Sequence, residues 1–92
     1  MPKRKTKEER EWIERVVALG CIICQAPGEY HHMLKGAGMG QKSSHFDGFC
    51  LCPFHHRNGW SGEAIHAGIK SWEAIHGTEQ EHLEKTRELL NA

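Results

Sequence analysis

Apolar positions follow two different rhythms along this chain. Near the start, Trp12, Ile13, Val16, Val17 and Leu19 recur at helical spacing. Thr6-Lys7-Glu8-Glu9 stands directly before them and fits a capping box, in which Thr6 caps the helix and Glu9 reaches back. Gly20 supplies a stop. The pattern predicts a helix over 7–19, packed by one apolar face. From residue 20 to 62 the helical period disappears. A turn-rich stretch around Pro27-Gly28 leads into a strand-like run from Glu29 to Leu34, then a Gly-rich loop over 35–48, then a second short strand at Phe49-Cys50-Leu51. Pro53 suits the first turn of a helix carrying His55 and His56, which Asn58-Gly59 should end. Helical spacing then returns in a short segment from Ser71 to His76, closed by Gly77. A second capping box, Thr78-Glu79-Gln80-Glu81, opens a helix bearing Leu83, Thr86, Leu89 and Leu90. Glu63-Ala64-Ile65-His66 recurs once, as Glu73-Ala74-Ile75-His76, too little for a repeat fold.

These elements predict one small α+β domain: a basic arm and N-terminal helix over 1–19, and a zinc-stapled unit over 20–92 that ends in further helices. With 92 residues, the chain has room for one domain and a modest core, burying roughly 60–65% of its unfolded surface. Only 38% of residues are hydrophobic and 10 are Gly, so a staple is expected. Four Cys and eight His are available to make one.

The charged start, with no apolar run behind it, does not read as a signal peptide, and no stretch approaches the ~18 apolar residues of a membrane span. The expectation is a cytoplasmic protein, with no membrane partner, in which clustered Cys bind metal and do not pair. The formal net charge of +0 conceals a basic start, Lys3, Arg4, Lys5 and Lys7, which suits phosphate contact.

Cys21-x-x-Cys24 and Cys52-x-x-His55 form two knuckles. Each places two ligands on one tight turn, and together they complete a tetrahedral Zn²⁺ shell. A redox pair at Cys21-Cys24 would call for a βαβ pattern, which is absent. Cys50 could replace His55 as a ligand, but Cys50 and Cys52 in an extended segment point to opposite faces, which favours Cys52 as the ligand and leaves Cys50 as a core residue. A second cluster of chemistry lies beside the knuckles. His31-His32 and His55-His56 are both doublets. Strand neighbours face opposite sides, so one imidazole of the first doublet can hold a metal while the other addresses substrate. His76 and His82 read as helix-surface residues, Trp12 and Trp72 as core, and Trp60 as a candidate stacking residue.

The arrangement resembles the HNH nucleases, built on a ββα-metal unit. The match covers Glu29-Tyr30-His31-His32, the Gly-rich loop, and Leu51-Cys52-Pro53-Phe54-His55-His56. More closely it resembles phage recombination nucleases of the Ref type. That likeness rests on Cys21-Ile22-Ile23-Cys24, Gly36 to Lys42 with Ser44-His45-Phe46, Leu51 to Arg57, and Trp72 to Leu83. The resemblance implies that His31 is a metal ligand and His32 the general base. It implies that His56 is a second ligand and that a third comes from the later helical arm, where His66 is the best match and His76 the alternative. The Asn that normally braces the loop has no counterpart in residues 35–50, so His45 or Asp47 takes its place. Arg57 or Lys42 would steady the phosphate charge.

A function follows as an expectation: a metal-dependent endonuclease hydrolysing DNA, single- or double-stranded, phage- or prophage-encoded, acting in recombination or DNA processing, with a recombinase as a candidate partner. All-His ligation favours Zn²⁺, Mn²⁺, Co²⁺ or Ni²⁺, with Mg²⁺ also allowed. The competing reading is a non-catalytic zinc-finger module that binds nucleic acid or protein. It accounts for Cys21, Cys24, Cys52 and His55 and leaves His31, His32 and His56 without a shared purpose.

Overall fold

A computed structural model describes residues 6–33 and 46–91. Its first helix, α1, spans Lys7–Ala18. The capping box closes in both directions: Thr6 Oγ1 accepts from the Glu9 amide at 3.1 Å, and Glu9 Oε1 accepts from the Thr6 amide at 2.8 Å. Gly20, at φ 82°, lets the chain reverse immediately afterwards. A tight loop follows, in which Cys21 N–H bonds the Ala26 carbonyl and Gln25 N–H bonds the Cys21 carbonyl, each at 2.8 Å.

Two short strands, β1 (Glu29–His32) and β2 (Gly48–Leu51), pair antiparallel with His31 opposite Phe49 and His32 opposite Gly48. β1 therefore ends two residues earlier than its apolar pattern predicts. Gly48 is required by close approach, because a Cβ there would collide with the His31 carbonyl and the Tyr30 ring. A lone hairpin is marginal in water. Here all four β2 residues are buried, and α1 and the last helix pack against the strands.

The helix expected after Pro53 is instead one π-helical turn, Phe54–Asn58, closed by Gly59 N–H on the Phe54 carbonyl at 2.9 Å. A 3₁₀ turn, Ile65–Ala67, follows. Next comes α2, Ile69–His76, which begins two residues before the predicted segment because Gly68 (φ 154°) frees the chain to turn into it. α3 covers Glu79–Asn91. Its capping box also closes: Thr78 Oγ1 accepts from Glu81 N–H at 3.1 Å and Glu81 Oε1 from Thr78 N–H at 3.0 Å.

The core lies between the hairpin and α2, where Trp72 stacks on Phe49 with ring centroids 6.3 Å apart, beside Leu51, Ile65, Cys21 and Cys52. Burying a side chain of this kind contributes about 2–3 kcal/mol. Two long-range contacts draw α3 onto the rest: Arg15 donates to the Leu90 carbonyl at 3.0 Å, and Arg87 pairs with Asp47 at 2.7 Å. No helix among the described residues is long and apolar enough to cross a membrane. The result is a small α+β domain with a two-stranded sheet and surrounding helices.

Candidate metal centres

The turn after α1 carries Cys21 and Cys24. The end of β2 delivers Cys52, and the π turn delivers His55. All four ligand atoms lie within 4.8 Å of one another. Cys24 Sγ is 3.8 Å from Cys52 Sγ, and His55 Nδ1 is 3.2 Å from Cys52 Sγ and 3.8 Å from Cys21 Sγ. A tetrahedral zinc with ordinary bond lengths sets such atoms about 3.5–3.8 Å apart. All four cysteines are free thiols. Burial pushes the Cys21 thiol up, but amides of Cys52, Cys24 and Ile23 outweigh it and hold the group below its usual value, towards the thiolate that ligates metal. The Ala26 amide favours the Cys24 thiolate, yet desolvation and the neighbouring sulfurs together raise that group. These sulfurs and His55 can hold a metal such as zinc. Cys50 stands apart, buried, with Sγ 4.0 Å from the Val17 carbonyl and its thiol pushed up to about 11 by burial.

A second group forms on the other side of the π turn. His31 from β1, His56 from the π turn and His66 from the 3₁₀ turn place ligand atoms within 4.8 Å of one another. Nε2 of His56 and Nε2 of His66 are 3.0 Å apart. The His31 ring lies edge-on to both, at centroid distances of 5.0 and 5.6 Å. His31 is buried, and its Nδ1 is a buried atom with no hydrogen-bond partner among the described residues. A buried nitrogen without a partner is costly unless something else binds it, so the residues present fit an ion. Desolvation lowers both His56 and His66 below the usual imidazole value, which favours the neutral, ligating form.

Carboxylates stand behind these rings. Glu79 Oε2 accepts from His31 Nε2 at 2.8 Å, and Glu29 Oε1 accepts from His56 Nδ1 at 2.6 Å. Glu29 also takes Arg57 at 2.8 Å, and the hydrogen bond to His56 holds its carboxyl below the usual range. Neither Glu79 nor Glu29 is marked in the sequence as a site residue. For Glu79 a signal existed: it sits four residues before Leu83 and seven before Thr86, on the buried stripe of α3.

His32 points to the Tyr30 face of β1, with ring centroids 5.0 Å apart, opposite to His31. Burial pushes the Tyr30 phenol up to about 12. Arg57 is exposed and reaches Glu29. His45 and Lys42 lie outside the described residues, as do the basic residues Lys3, Arg4 and Lys5. Asp47 sits at the base of the loop, its carbonyl 3.3 Å from the Met33 amide and its carboxylate on Arg87.

Two expectations need correcting. His76 is not a helix-surface residue. Its Nε2 is buried without a hydrogen-bond partner, 3.9 Å from Glu63 Oε1, and its ring packs on His55 and Trp72. His82 is half-buried against Phe49 and Trp72, with Nε2 donating to the His76 carbonyl at 2.7 Å. The cause is Gly77 (φ 98°), which folds the end of α2 back against the start of α3 and encloses both imidazoles. His55, Glu63 and His76 form a third close group. Because His55 turns Nδ1 to the sulfurs, its Nε2 faces Glu63 at 3.8 Å, placing Glu63 behind a candidate zinc ligand. Trp60 is 71% exposed, its ring edge-on to Phe54.

The sequence profile of a family described as "Protein of unknown function (DUF968)" matches residues 1–90. No curated protein matches the chain.

Proposed function

The chain belongs to the DUF968 family, a premise that brings no activity with it, and from the chemistry of the site we propose that this member is a metal-dependent endonuclease of the HNH type. Its reaction is hydrolysis of a DNA phosphodiester, and its setting is phage or prophage recombination or DNA processing, with a recombinase as a candidate partner. One observation carries the reading: His31, His56 and His66 converge from a β-hairpin and the turns after it, in a group separate from the four Cys21, Cys24, Cys52 and His55 ligands. A zinc-finger module needs only the latter group. The order of hairpin, knuckle and turn supports this reading, although a π turn stands where the ββα-metal unit has a helix.

A divalent ion on the three imidazoles would supply positive charge at the scissile phosphate and the leaving oxygen. The imidazoles add no negative charge of their own, so the phosphate is not repelled. His32, on the adjoining position of β1, takes the proton of the attacking water, which a neutral imidazole can do near neutral pH. Arg57, exposed and paired with Glu29, can turn to the phosphate. Zinc held by Cys21, Cys24, Cys52 and His55 would keep the hairpin and π turn in register, so that these groups stay in place.

Incubation of plasmid and single-stranded DNA with Mg²⁺, Mn²⁺, Co²⁺, Ni²⁺ or Zn²⁺ tests the reading. The wild-type chain should cut with at least one ion, and His32→Ala should lose all but about 10⁻²–10⁻⁴ of that cleavage, with fold and zinc content unchanged. DNA binding without cleavage under any ion would remove the enzyme and leave the zinc-finger module.

A further inference from the structure

The two carboxylates behind the His cluster contact different ring nitrogens. On His31 the partner of Glu79 Oε2 is Nε2, at 2.8 Å, with both side chains only 1% exposed. On His56 the partner of Glu29 Oε1 is Nδ1, at 2.6 Å. A neutral imidazole carries one N–H and one lone pair, and a carboxylate can only accept. Each carboxylate therefore holds the N–H on the nitrogen it touches and leaves the lone pair on the other. For His31 that other atom is Nδ1, buried and without a hydrogen-bond partner. For His56 it is Nε2, 3.0 Å from Nε2 of His66.

We propose that Glu79 and Glu29 are positioning residues that lock His31 and His56 in opposite tautomers, so that one ion is held through Nδ1 of His31 and Nε2 of His56, with His66 as the third ligand. The inference rests on the reading of this cluster as the ion centre, and it names what that reading leaves open: which nitrogens bind and what aims them. The two carboxylates also differ in kind. Glu79 is rooted at the start of α3, its own amide held by Glu73 Oε2 at 2.8 Å, so it fixes a ring in the interior. Glu29 divides its oxygens between His56 and Arg57. A negative group behind an imidazole also raises its basicity as a ligand, and loss of such a partner typically weakens metal binding ten- to a hundredfold.

The test uses the zinc-replete full chain with isotope-labelled imidazoles and NMR-active Cd²⁺ as the probe ion. Scalar coupling should run from cadmium to Nδ1 of His31 and to Nε2 of His56. By calorimetry, Glu79→Ala should bind Cd²⁺ at the His cluster about ten- to a hundredfold more weakly. Glu79→Gln, whose side-chain carbonyl still accepts from Nε2–H, should recover part of the loss. Coupling through Nε2 of His31 or Nδ1 of His56 would overturn the inference. So would unchanged affinity in a Glu79→Ala protein that keeps its zinc and far-ultraviolet circular dichroism. If that variant fails to fold, the couplings and Glu79→Gln decide. Cadmium bound by other nitrogens sinks the inference alone, whereas no ion at the His cluster sinks the ion-centre reading with it.

Discussion

His55 and His56 are chain neighbours whose rings serve separate clusters: His55 Nδ1 lies 3.2 Å from Cys52 Sγ, and His56 Nε2 lies 3.0 Å from His66 Nε2. Successive residues on a helical turn diverge, by about 100° in an α-helix and somewhat less in a wider π turn, so one short turn faces two ways. The π turn at Phe54–Asn58 is thus the structural link between the two candidate metal centres. π-helical turns are rare and concentrate at functional sites.

That link makes the dependence between the centres one-sided. Structural zinc contributes on the order of 10 kcal/mol or more to folding of small domains, comparable with the whole stability of such a domain, about 5–15 kcal/mol. Cys24→Ser should therefore lose zinc, unfold and lose the His cluster as well. His56→Ala should weaken only the second centre and keep full zinc content. Metal analysis and circular dichroism on both variants check this, and a folded, zinc-replete Cys24→Ser protein would contradict it.

Cys50 should behave as an ordinary core residue. Its thiol is buried and pushed up to about 11, and its sulfur lies 4.0 Å from the Val17 carbonyl, outside the close group of four ligands. Cys50→Ala should keep full zinc content, and native wild-type protein should resist alkylation at Cys50 at neutral pH. Zinc loss on that substitution would make Cys50 a ligand.

The two later tryptophans should separate in a urea titration. Trp72 is wholly buried and stacked on Phe49, so Trp72→Ala should cost about 3–5 kcal/mol. Trp60 projects into solvent, and Trp60→Ala should change stability by no more than about 0.5 kcal/mol.

How much of this was readable in advance follows from how local each signal is. α1 and α3 announce themselves because a capping box and an apolar stripe are both short-range features. The knuckle spacing was equally local, and the structure brings Cys21, Cys24, Cys52 and His55 together. The π turn was not legible, since Pro53 and Asn58-Gly59 mark its ends without fixing its pitch. His66 and His76 sit in identical Glu-Ala-Ile-His segments, and only their surroundings separate them: a 3₁₀ turn beside His56 for one, an α-helix end beside His55 for the other. Glu79 was hidden by its own position, because an acid at a helix start already has a sufficient explanation in the helix dipole.

Stability should fall as the solution is acidified through the imidazole range. Desolvation lowers His55, His56, His66 and His82 in the folded chain. Below their usual value near about pH 6.5, the unfolded chain binds more protons than the folded one, so unfolding gains as pH drops. His82 isolates the effect, being half-buried and outside all three close groups. Urea midpoints at saturating zinc should decline from about pH 7 to about pH 5, and His82→Gln should decline less. Equal slopes would show that His82 does not share in the effect.

The doublet His31-His32 should divide into two phenotypes. His31 faces the cluster and Glu79, whereas His32 faces Tyr30 on the other side of β1. His31→Ala should lose ion binding and cleavage together, because it removes a ligand and leaves Glu79 buried beside a cavity, with a stability cost of about 1–3 kcal/mol. His32→Ala should bind the ion normally and cut about 10²–10⁴-fold more slowly, the usual contribution of a general base. Calorimetry with Mn²⁺ and single-turnover cleavage on the same preparations distinguish the two. If His32→Ala loses the ion, it is a ligand and the base must be sought elsewhere. If His31→Ala keeps it, the second centre is not built on β1.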